Sequence, residues 1–331
     1  MPSMRRHEFI TLLGGAAAAW PLTVRAQQPA RRPLIGVLSP ASTATAAGYM
    51  EGLRAGLRDF GYVEGHNIWL EVRYAEGVPA RLPSLAAELV DLKPDIIIAG
   101  SAVGISAAQR VTQTIPLITF TVEDPVALGL AKSIARPGGN ITGIATFGDD
   151  ALVDKQLALL KEVLPDMSRL AVIVNPGDPG EAFVLRFMPE ATRALGVTFH
   201  VFEVQAAAEL EATFARIVHD GMHALFMTQN PLFFSRRYEV AELAVRMRLP
   251  AMYGYREFVQ AGGLLSYGSS LPGAYRQSVR LIDKILKGAS PADLPFELAT
   301  RFELAINLKT AKALGLTIPE SFLLRADEVI E

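Results

Sequence analysis

The 331-residue chain has no cysteine. That excludes a disulfide, a thiolate nucleophile, a thiolate-ligated metal and the cysteine through which a bacterial lipoprotein is anchored. Histidine is nearly as scarce, with only His66, His200, His219 and His223 beyond the first seven residues. His219 and His223 stand four apart, but Gly221 lies between them and no HExxH pattern accompanies them, so they read as solvated surface residues rather than zinc ligands. An excess of charge of one sign is missing too: 32 Lys and Arg against 34 Asp and Glu give a formal charge of −2. Nothing in that balance suggests nucleic acid or an anionic membrane as a partner. The chain also lacks a GxSxG elbow and a phosphate-cradling GxxxxGK[ST] loop. Its first β-prone run is followed by Ser39-Pro40-Ala41-Ser42-Thr43 where a dinucleotide site has GxGxxG. No catalytic set, cofactor or metal is therefore expected.

Apolar runs of membrane length are likewise wanting. The N-terminal run from Phe9 to Leu22 is interrupted by Gly14-Gly15 and Pro21 and is shorter than the roughly 20 residues a bilayer-spanning helix needs. With Arg5 and Arg6 before it and Val24-Arg25-Ala26 after it, it reads as a signal peptide cut after Ala26. The route is open between Sec and Tat, since two residues separate the arginine pair from Phe9. A protein exported without a lipid anchor stays with its cell only inside a second membrane, so a periplasmic location is expected, with no stable membrane insertion after cleavage.

What the chain does have is length for two ordinary domains and a repeating unit of β-prone run, small-residue loop and amphipathic helix. The runs Leu34–Leu38, Asn67–Tyr74, Asp95–Ala99 and Pro116–Val122 form one set, and Leu170–Val174, Thr198–Val204, Ala224–Thr228 and Leu249–Tyr253 a second. Repeated βα units imply parallel sheets with right-handed crossovers. The expected fold is α/β, with two doubly wound parallel-sheet lobes joined by a multi-strand hinge. Residues 33–147 with about 272–300 make lobe 1, and 148–271 make lobe 2. Residues 301–331 add a strand and a helix that the sequence assigns to neither.

In such sheets ligands bind beyond the carboxyl ends of the strands. The loops there carry Ser39, Ser101, Ala102, Thr121, Asp124, Asn175 and Asn230, with Tyr253 and Tyr267 close by. Short hydroxyls and amides ahead of helix N-termini serve equally as caps and as anion ligands. Asp124, held by Pro125 in a loop after the fourth strand, reads either as partner of a ligand ammonium or of a protein cation. The tyrosines stack on a ligand or pack beneath the cleft. Trp69, within a strand, is expected in the core, and a short helix is expected over 126–135.

Several stretches resemble a known family. They are Asp124-Pro125-Val126-Ala127-Leu128-Gly129, Ala135-Arg136-Pro137-Gly138-Gly139-Asn140-Ile141-Thr142-Gly143, Gly262-Gly263-Leu264-Leu265-Ser266-Tyr267-Gly268, Ile285-Leu286-Lys287-Gly288, and the run from Phe302 to Gly315. All resemble the substrate-binding proteins of ABC transporters, in particular their tryptophan/tyrosine type. The resemblance covers the chain from about residue 33. It implies a type I periplasmic binding fold with crossings near 147, 271 and 296. A small solute, an amino acid or related carboxylate, would be captured between the lobes and delivered to an ABC permease with its ATPase. A ligand-binding subunit for a signalling receptor is the alternative, followed by an exported enzyme.

Overall fold

The computed structural model describes residues 32–121, 124–145, 151–178 and 180–331. The signal peptide over 1–26, Glu123, the first lobe crossing near 147 and the side chain of Thr121 lie outside the described residues.

Strands β1 (Leu34–Ser39), β2 (Trp69–Tyr74), β3 (Ile96–Gly100), β4 (Leu117–Thr121) and β5 (Ile141–Ala145) alternate with helices α1 (Thr43–Asp59), α2 (Leu82–Asp91) and α3 (Ser101–Val111). The strands pair in parallel in the order β2-β1-β3-β4-β5. β3 reads Ile-Ile-Ile-Ala-Gly and is buried throughout, as befits a parallel strand covered on both faces. Trp69 corrects the core expectation: it opens the edge strand β2 and is 46% exposed. The helix expected over 126–135 is a series of turns. Gly129 adopts φ +71° there, which breaks any helical ladder, and the Leu130 amide donates to the Pro125 carbonyl instead.

The second sheet is built from β6 (Arg169–Val174), β7 (Thr198–Glu203), β8 (Ala224–Met227), β9 (Ala251–Tyr253) and β10 (Leu265–Ser269). Its helices are α4 (Ala151–Val163), α5 (Glu181–Ala194), α6 (Leu210–His219), α7 (Pro231–Ser235), α8 (Arg237–Arg246) and α9 (Arg256–Gln260). The chain then returns to the first half with α10 (Leu271–Leu286) and β11 (Glu297–Leu298), which pairs with β5. It ends in the second, where β12 (Phe302–Asn307) runs antiparallel to β10, and α11 (Leu308–Leu314) and α12 (Glu320–Leu323) lead to β13 (Glu328–Ile330) beside β12. The tail that the sequence assigned to neither lobe thus completes the second sheet, ordered β13-β12-β10-β9-β8-β6-β7.

Two features position the cleft. In each sheet the strand order reverses at one place, between β1 and β3 and between β6 and β8, and such reversals open a crevice at the strand ends. The halves also touch directly. Arg237 Nη1 donates to Thr45 Oγ1 at 3.3 Å, and a Cβ placed on Gly77 would lie 3.1 Å from Ser235 Oγ.

Candidate functional site

The loops at the two reversals face each other across a cavity of about 80 Å³, within a recess of about 740 Å³ that includes its mouth. From the first half come Pro40 and Ala41 after β1 and Gly100, Ser101 and Ala102 after β3; from the second come Asp178 after β6 and Gln229, Asn230 and Pro231 after β8. The remaining wall is aromatic. Tyr275 of α10 stacks on Phe120 of β4 at 4.0 Å between centroids and on Tyr49 of α1 at 4.6 Å. Opposite them Phe234 and Tyr255 meet edge-on at 5.5 Å. Gly100 leaves room for this stack, since a Cβ there would lie 3.0 Å from Tyr275 Oη.

Ser101 opens α3 with φ +68°, a left-handed conformation that costs a non-glycine residue energy and collects at functional sites. Its hydroxyl accepts from the Gly104 amide at 3.4 Å. The first-turn amides of α3 have no helical acceptor, and with the positive end of the helix dipole they favour an anion at this wall.

The opposite wall is acidic. Asn230 accepts from the Leu232 amide at 2.9 Å, so it does cap α7. Its side-chain amide also donates to Asp178 Oδ2 at 2.9 Å and Glu181 Oε1 at 3.1 Å. Burial raises Asp178 above the usual carboxylate range, with the Gly180 amide acting the other way. Burial first, and then the Asp178 charge, push Glu181 up to about 8, against the opposing effects of Thr228, the Asn175 amide and Asn230.

Of the residues singled out by sequence, Ser101, Ala102 and Asn230 line this cavity. Ser39 sits behind the wall, hydrogen-bonded to Tyr49 Oη at 2.8 Å. Asp124 lies away from it and accepts from the Val126 amide at 2.8 Å, the geometry of a cap. Asn175 accepts from the Gly177 amide at 3.0 Å and borders a separate recess with Ser42 and Thr45. Tyr253 is fully buried, stacked on Phe258 at 4.7 Å. Tyr267 lies within β10 of the second sheet, stacked on Phe302, and its carbonyl accepts from Gln156 at 2.6 Å. Sequence reading passed over Tyr49, Phe120, Asp178, Gln229, Phe234 and Tyr275. Only Asp178 and Gln229 carried a signal, standing in the loops after β6 and β8. Among the described residues, no group of three or more His, Asp or Glu is placed to hold a metal ion, and no helix is long and apolar enough to cross a membrane.

Two opposed switch-point walls around an aromatic cavity define a two-lobed solute-binding architecture, the type I periplasmic binding fold. The chain belongs to the family of ABC transporter substrate binding proteins, which it matches over residues 34–330. That family comprises binding proteins rather than enzymes. A tyrosine-binding protein of Clostridioides difficile (strain R20291) is 27% identical over 266 residues, 80% of this chain and 76% of the relative. The structure of an ABC domain in complex with L-Trp from Streptococcus pneumoniae superposes with a TM-score of 0.84 at 24% identity, covering 90% of this chain and 100% of that one. A ligand-free, open substrate binding protein of Clostridium difficile gives 0.66 at 24% identity over 90% and 99%.

Proposed function

We propose that this protein is the exported, periplasmic solute receptor of an ABC importer, and that it captures an aromatic α-amino acid in the cleft and presents it to a permease coupled to an ATPase. The observation that carries the ligand class is the aromatic wall contributed by both halves, Tyr49, Phe120 and Tyr275 on one side and Phe234 and Tyr255 on the other. A planar side chain between those rings gains offset-stacked and edge contacts that an aliphatic one lacks. The ligand carboxylate faces the first turn of α3 at Ser101 and Ala102, where unpaired amides and the dipole favour an anion. The tyrosine-binding relative and the L-Trp complex support the same class.

The capture mechanism is lobe closure. A ligand that touches both walls only when they approach shifts the population toward the closed form by its differential affinity. The Arg237–Thr45 contact and the better superposition on the L-Trp complex than on the open protein support reading the present arrangement as closed.

The test is calorimetric titration with the twenty amino acids, joined to small-angle scattering. L-tryptophan, L-tyrosine or L-phenylalanine should bind and shrink the radius of gyration at constant secondary structure. Tyr275→Ala should weaken that binding about tenfold or more, since it removes a central ring of the stack. Binding confined to aliphatic or charged amino acids, or no compaction at saturation, overturns the reading.

A further inference from the structure

Beside the main cavity lies a second, of about 20 Å³. The two share Asp178 and Gln229, and the second adds Gln156, Glu181 and Thr228 over an apolar floor. It has room for a water-sized group such as an ammonium.

The hydrogen-bond inventory around it leans toward acceptors. Gln156 Nε2 donates to the Tyr267 carbonyl at 2.6 Å, Thr228 Oγ1 to the Ile173 carbonyl at 3.0 Å, Gln229 Nε2 to the Gly254 carbonyl at 2.9 Å, and the Asn230 amide to both acids. Two buried acceptors are left over. Glu181 Oε2 and Gln229 Oε1 are buried without a hydrogen-bond partner among the described residues, and Glu181 as a residue is only 6% exposed. Neither Asp178 nor Glu181 forms an ion pair with a described Lys, Arg or His. Buried acceptors cannot satisfy one another. An alkylammonium, with three donors and no acceptor, complements such a set.

We infer that Asp178, Gln229 and Glu181 form the seat of a primary ammonium on the ligand, and that the acidic pair surrenders a proton when that ammonium arrives. The inference rests on the proposed amino-acid reading of the cleft and names the group recognised beside it. The groups facing the pair from α4, β8 and α7 are Gln156, Thr228, Gln229 and Asn230, all neutral, so no neighbouring cation offsets the burial of Asp178 and Glu181. Burial holds both above the ordinary carboxylate range, with Glu181 near 8. The empty site therefore keeps a proton at neutral pH, held on Glu181. The incoming ammonium replaces it, and the released proton passes to solvent, leaving two carboxylates around one fixed cation.

Titration calorimetry of the full mature protein tests this. The probes are L-tryptophan, L-tyrosine, tryptamine, indole-3-propionate, putrescine and the remaining amino acids, each in two buffers of different ionisation enthalpy. Amine-bearing ligands should release up to one proton, and their affinity should rise with pH below about 8, by up to about tenfold per pH unit. Indole-3-propionate should bind far more weakly than tryptophan and release none. Asp178→Asn should weaken amine binding about thirty-fold or more, and Glu181→Gln should abolish the buffer-dependent heat and flatten the pH profile. Both variants should melt, ligand-free, at or above the wild-type temperature, because each removes a buried acid. A fall in either would assign the pair a purely structural role and overturn the seat. Tight binding of indole-3-propionate without proton release would also overturn it while sparing the aromatic cleft. Proton-releasing binding of a non-aromatic amine would keep the seat and overturn the aromatic reading. Failure of every amine to bind overturns the seat.

Discussion

At the residue scale the pH dependence of stability follows from Glu181. Its carboxyl has an ordinary value of 4.5 and is pushed up to about 8 in the fold. Between those values the folded chain holds a proton that the unfolded chain has lost, so stability falls with rising pH there. The contribution is fully present below 4.5 and gone above about 8. Thermal melts of ligand-free protein from about pH 5 to 9 should show that decline, and Glu181→Gln should flatten it. An unchanged slope in the variant would mean that another group carries the effect. The acids also show what a sequence conceals at this scale. Asp124 and Asp178 both stand in proline-flanked loops after a β-run. One sits after β4 and caps a turn, while the other sits beside the reversal at β6 and reaches the cavity. Their difference lies in the pairing order of strands, which local sequence does not encode. Ser101 and Asn230 were legible because helix-initiating chemistry and cleft chemistry use the same loops.

Elements pack here through small residues at a few points. α1 and α10 approach so closely that a Cβ on Gly52 would run into the Pro272 carbonyl, and one on Gly56 would lie 2.8 Å from the Arg276 carbonyl. Gly48, on the same helix, has nothing within 4 Å. Gly52→Ala should therefore destabilise by about 1–3 kcal/mol, the usual cost of overpacking. Gly48→Ala should be neutral or slightly stabilising, because alanine is the better helix former. Chemical denaturation of the two variants compares them directly, and equal effects would refute the close approach. The periodicity of α1 and α10 was plain in the sequence, whereas their partnership was not, since more than two hundred residues separate Gly52 from Pro272. For the same reason Trp69 was misplaced: an edge strand and a central one look alike until the sheet is assembled. The helix expected over 126–135 failed at Gly129, whose left-handed backbone turns the chain instead.

On the scale of the whole molecule, the chain passes between its halves three times, after β5, after β10 and after β11. Repeating βα units made both sheets legible, and the return of β12 to the second was the part that spacing alone left open. The crossings also set an order of assembly. The first half acquires the α10 that covers α1 only at Leu271–Leu286, and the second gains β12 and β13 only at Phe302–Ile330. Contacts so distant along the chain must absorb their loop-closure entropy before they stabilise anything, which slows folding. Until those stretches are made, α1 lacks its α10 cover and the second sheet lacks its last two strands. A chain ending at Ser269 should thus be digested throughout by a dilute protease under conditions that leave the full-length protein intact, and a resistant fragment spanning β1 to β5 would show that the first half folds without α10. The late return of α10 works as a built-in delay, a clock set by how far along the chain the covering helix is written.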